Sequence, residues 1–155
     1  MSAALITASV LGLAGLIFSA TIGFVAASSV EVSRHVSFDI FFTLITLLAH
    51  SMTMFYLIGK GKAVREAVTE GNLSPELYAT VVRARKPVFS ISTVAMLLTM
   101  TTAIIGGGVD TGVLPTVIHS MLAVSAIATN VMALRAEVGA MVSSSRVVEE
   151  VDAGD

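Results

Sequence analysis

Four stretches of this chain are apolar for long enough to cross a lipid bilayer, over residues 3–28, 38–59, 88–107 and 113–134. A helix rises 1.5 Å per residue and a hydrocarbon core is about 30 Å thick, so roughly 20 apolar residues make one crossing. The rest of the sequence agrees. Charged residues make up 13% of the chain, against about 25% in soluble domains. The reading is an all-α polytopic membrane protein: one domain, residues 1–155, with four transmembrane helices in an up-down-up-down bundle.

The first stretch has a small-residue pattern, "FVAASS", that resembles a signal-peptide cleavage site. It has no basic segment ahead of it, and its apolar run is longer than a typical signal core, so it is read as a span.

The loops orient the bundle. Lys60, Lys62, Arg65, Arg83, Arg85 and Lys86 lie between spans two and three, and Arg135 and Arg146 follow span four. Arg34 is the one basic residue in a loop on the other side. The positive-inside rule then puts both termini and the 60–87 loop in the cytoplasm of a bacterial-type inner membrane. Within that loop, "LSPEL" predicts a helix with Ser74 as N-cap and Pro75 at its first position. That helix is expected to run to Lys86 and to stop at Pro87. The acidic tail of the 138–155 segment is expected to fray. "SSVEVSRHVS" and "GGGVDTG" are expected as turns on the outer side.

In a membrane, polar side chains face other helices or a cavity. Helical spacing therefore marks the inside of the bundle. Asp39, Thr43, Thr46, His50 and Thr53 form one stripe, and Thr116, His119, Ala123, Ala126, Asn130 and Glu137 another. Gly12, Ser19, Gly23 and Ala26 mark span one, and Ser92, Met96, Thr99, Ala103 and Gly106 mark span three.

Two stripes carry a histidine followed by Ser-Met, at His50 and His119. Counted from the span edges, the two rings fall within about one helical turn of the same depth. With Phe18-Ser19 and Phe89-Ser90 ahead of them and an Arg and a Glu behind, the match predicts a duplicated two-helix unit. Its histidines would then face each other across the bundle.

Facing imidazoles suit the two axial positions of a haem iron, giving a b-type cytochrome that exchanges electrons with a quinone or a redox protein. Ala123 and Ala126 would leave room for the ring, Arg34 or His35 would meet its propionates, and Thr46 or Asn130 would orient a ligand imidazole. A copper site from His50, His119 and Met54 is the second metal reading. An oligomeric proton or ion path, and a structural or assembly subunit, are the readings of other classes.

The chain has no cysteine, which removes disulfides, thiolate metal sites and thiolate-held clusters. No motif of a hydrolase, phosphate loop or zinc protease is present, so a stand-alone enzyme is not expected. Nor is there a basic stripe for nucleic acid. The partners expected are the lipid bilayer, a redox partner and further copies of the chain.

Overall fold

The computed structural model describes residues 1–154 and contains four helices: α1 (Ser2–Val25), α2 (Ser29–Glu70), α3 (Pro75–Asp110) and α4 (Thr116–Gly154). All four are long and apolar enough to cross a membrane. They pack as an up-down-up-down bundle, each against its neighbours in sequence, with α1 closing onto α4 and α2 meeting α4 across the middle. The α1–α2 and α3–α4 turns share one end, here the turn end. The α2–α3 turn and the chain termini share the other, the terminal end.

The bundle is inside out relative to a soluble one. Phe41, Leu44, Leu48, Phe55, Leu97, Ile104 and Met121 are exposed, whereas Ser9, Ser19, Thr46, His50, Ser92, Thr99, Asn130 and Glu137 are buried. Lipid is as apolar as leucine, so burying leucine between helices gains little there. Small side chains that let backbones approach, and polar ones that bond across helices, hold the bundle instead. Gly12 and Gly15 show the first effect. A Cβ on Gly12 would lie 2.6 Å from Thr46 Oγ1, and one on Gly15 would overlap the Phe42 ring.

Helices α2, α3 and α4 are longer than the apolar runs within them, whereas α1 ends at Val25, short of the expected 28. The segment expected as an outer loop is instead the first turns of α2. Ser28 caps it, accepting from the Glu31 N–H at 3.3 Å, while the Glu31 carboxylate accepts from the Ser28 N–H at 2.9 Å. This reciprocal capping box starts the helix at Ser29 and carries Arg34 and His35 on helical backbone. At the other turn, α3 absorbs the first three of the four glycines of "GGGVDTG", and the chain reverses over 111–115 with Gly112 at φ 73°.

At the terminal end, Ser74 and Pro75 start α3 as expected. The expected stop at Pro87 does not occur, and α3 continues through it. An internal proline costs about 3 kcal/mol. Here Val81 and Val88, both fully buried, lie on either side of it, and a break would take one of them out of the core. The acidic tail is helical too, through Gly154, and Asp155 lies outside the described residues. Val147 and Val151 of α4 pack with Val64 and Val68 of α2 and Val81 of α3, so the fraying expected of it gives way to burial. With 42 residues, α2 is about 63 Å long and extends well past a single bilayer thickness.

Candidate functional site

The centre of the bundle is polar and bonded across all four helices. His50, on α2, is 2% exposed, and both its ring nitrogens are engaged by α4. Nδ1 lies 2.5 Å from Glu137 Oε1 and Nε2 lies 2.8 Å from Asn130 Oδ1. Glu137 is itself 1% exposed and accepts from Ser9 of α1 at 2.9 Å and from Ser92 of α3 at 3.2 Å. One carboxylate thus gathers side chains from all the other helices.

The protons on this network follow from its acceptors. Asn130 Nδ2 lies 2.7 Å from the Ala126 carbonyl, which can only accept. That fixes the amide, with Nδ2 also donating to Thr99 Oγ1 at 2.9 Å and Oδ1 turned to His50. His50 Nε2 therefore carries a hydrogen. The short Nδ1–Oε1 contact holds one further proton shared between imidazole and carboxylate. The pair is neutral as a unit, either as an ion pair or as imidazole with carboxylic acid.

Toward the turn end, the network meets a small cavity of about 20 Å³ whose wall is mostly apolar, from Leu16, Ala20, Ala126 and Ile127 among others, with polar groups from Asp39, Thr43, Thr99, Thr102, His35 and His119. That is room for about one water. Thr43 Oγ1, buried and without a partner in the protein, lies on its wall. Above it the bundle opens into a vestibule of about 410 Å³ that His35, His119, Asp110 and Ser120 line. Toward the terminal end the bundle is shut by Leu5, Leu57, Val88, Ala140 and Met141.

The residues expected around a haem do not gather around one. His50 bonds Asn130, which lies eleven residues beyond His119 on α4, about 16 Å along the axis. The two histidines are therefore several turns apart in depth, because helix register rather than distance from the span edge sets their level. Both His50 nitrogens are also spent on hydrogen bonds, whereas an axial ligand needs a free lone pair. Ala123 and Ala126 are buried on the wall of the small cavity, and Ala123 also lines the vestibule above it. Arg34 is exposed. Thr46 donates to the Phe42 carbonyl of its own helix. Asn130 does hold an imidazole, that of His50. Met54 packs in the apolar plug with Leu57 rather than beside a metal site. Among the described residues, no three or more His, Asp or Glu are arranged to hold a metal ion.

His119 has a different companion. Its ring centre lies 6.2 Å from that of His35, across the axis at the turn end. Ser9 was not legible in the sequence as part of the site, since span one offers small residues on every face. Glu137 lay on the inward stripe, but nothing in the spacing named His50 as its partner. No protein-family model, no curated protein and no solved structure matches the chain.

Proposed function

We propose that this chain is a small proton-coupled membrane transport protein, described here in a state open at the turn end and shut at the terminal end. The observation that carries the reading is the buried His50–Glu137 pair, linked through Asn130 and Thr99 to a water-sized cavity beneath an open vestibule. Ionisable groups within a membrane span mark proton and ion pathways. This pair is neutral at rest. One proton added from the vestibule would leave a net positive charge among Ser9, Ser92 and Asn130 in a low-dielectric core. Such a charge is strongly disfavoured unless the helices move. A state in which Leu57 and Val88 part would release the proton to the other side, which is alternating access on a four-helix scale. The basic residues at the terminal end orient that side to the cytoplasm and the vestibule outward. With four helices in each chain, a path shared between copies fits the same reading.

The test is proton flux into vesicles holding a pH-sensitive dye, driven by a potassium diffusion potential. The unaltered protein is expected to acidify the lumen above empty vesicles, and both Glu137→Gln and His50→Gln to abolish the excess. Flux equal to that of empty vesicles, in either orientation of the potential, overturns the reading. An absorption spectrum of the same preparation decides the redox alternative. A Soret band lost in His50→Ala and His119→Ala would replace proton transport by electron transfer.

A further inference from the structure

The vestibule contains a pair of histidines that the proton network does not use, and we infer that His35 and His119 form a two-imidazole binding site for a divalent transition-metal ion such as zinc. Each ring is held from behind in the same way. His35 Nδ1 donates to the Ser19 carbonyl at 2.9 Å, and His119 Nδ1 donates to the Thr102 carbonyl at 3.2 Å. A carbonyl can only accept, so Nδ1 carries the hydrogen in both rings, and in the neutral imidazole the lone pair is then on Nε2. Metal-ligating histidines are oriented in this manner, with the far nitrogen tied to a carbonyl or carboxylate and the near one free.

The space for each ring is made by a glycine one turn beyond that carbonyl. A Cβ on Gly23 would lie 2.7 Å from His35 Cε1, and one on Gly106 would lie 3.0 Å from His119 Cε1. The device occurs once in the α1–α2 hairpin and once in the α3–α4 hairpin, and the two rings meet edge to face with planes 76° apart. Among the described residues, neither Nε2 has a hydrogen-bond partner.

The spacing fits an ion. Zinc sits about 2.0–2.1 Å from a histidine nitrogen, which puts each ring centre about 3.2 Å from the metal and two ring centres about 5–6 Å apart. The observed 6.2 Å is within about 1 Å of that range. Asp39, one turn along α2 from His35, shares the cavity wall with both rings. It offers a hard oxygen ligand after a side-chain rotation. Water completes the set, since no three ligands are pre-assembled. A site with two fixed ligands and open positions exchanges its ion, as a vestibule site must. It lies above the His50–Glu137 pair and shares no ligand with it, so it stands or falls separately from proton transport.

Calorimetric titration of the chelator-treated, detergent-solubilised full chain with zinc chloride tests the site without any flux. One zinc per chain is expected, with affinity reduced at least tenfold by His35→Gln and by His119→Gln, and unchanged by Arg34→Gln. A second measurement uses the unaltered protein, so that a folding defect in a variant decides nothing. Zinc is expected to protect both histidines from diethylpyrocarbonate, read by mass spectrometry. No binding at millimolar zinc, equal binding by the histidine variants, or modification that zinc leaves unchanged would each overturn the site.

Discussion

A single carboxylate organises the interior. Glu137 meets Ser9, His50 and Ser92, one on each of the other helices, and among the described residues no other side chain hydrogen-bonds to all three. Removing one member of a buried ion pair leaves the other unpaired, and costs about 3–5 kcal/mol in soluble interiors. In membranes the unfolded reference state also finds partners, so the figure here is nearer the lower end, about 3 kcal/mol. His50→Leu and Glu137→Leu are each expected to lower stability in detergent by that much. The double variant should cost less than the sum, because two apolar residues of similar volume leave no orphan charge. Denaturant titration of the four proteins measures the coupling, and additive losses would mean the pair is not formed. The sequence made the inward direction of both residues readable, since polar positions in a lipid-facing helix must point at other helices. It did not make the pairing readable. A stripe gives an angle around the helix, and a partner requires the relative slide of two helices, which only packing decides.

At the scale of elements, the turn-end start of α2 shows how one local motif moves a boundary. Ser28 and Glu31 are separated by three residues, the spacing at which a hydroxyl and a carboxylate satisfy each other's backbone donors. The apolar run alone put the helix start about nine residues later. The Ala27 N–H, with the Ser28 hydroxyl and N–H, holds the Glu31 carboxyl below the usual carboxylate range. Because the folded value is lowered, this contribution is present above the unfolded carboxylate value and is lost as pH falls through the folded one. Fraying of the first turn of α2 should therefore increase in acid. Ser28→Ala should produce the same fraying at neutral pH, at about 1 kcal/mol. Amide hydrogen exchange over residues 29–33 reads both effects, and protection there that ignores pH and the substitution would contradict the cap. Pro87 misled in the opposite direction. A proline is a local signal for a break, and the burial of Val81 and Val88 on either side of it is a tertiary one that outweighs it.

The whole molecule has a near-twofold plan, but not the one the His-Ser-Met repeats suggest. His119 corresponds to His35, since each donates to a carbonyl sixteen or seventeen residues away on its hairpin partner and packs on a glycine one turn further along. The match between His50 and His119 was one of short sequence, whereas the structural match is one of hydrogen-bond role. The halves then diverge below the vestibule. α2 supplies His50 where the network needs a ring, and α4 answers with Asn130 and Glu137. The bundle also has an asymmetry between its ends, open at the vestibule and shut at the other end by Leu5, Leu57, Val88, Ala140 and Met141.

It has a direct consequence for access from water. The chain has no native cysteine, so any introduced thiol is a unique probe. Ser120→Cys sits on the vestibule wall and should react with a membrane-impermeant maleimide added outside intact cells. Ala140→Cys lies in the plug, 1% exposed, and should resist the reagent from either side while the bundle holds its present state. Ala63→Cys, at the terminal end, should react only after the cells are opened, if the basic residues there face the cytoplasm. The proton reading adds a condition that a static helix scaffold would not meet. If an added proton drives the plug apart, acidifying the vestibule side must raise the reactivity of Ala140→Cys toward reagent from the other face, and Glu137→Gln must remove that response. Reactivity at Ala140→Cys that stays flat across that acidification would leave the His50–Glu137 pair as an interhelical clamp and nothing more.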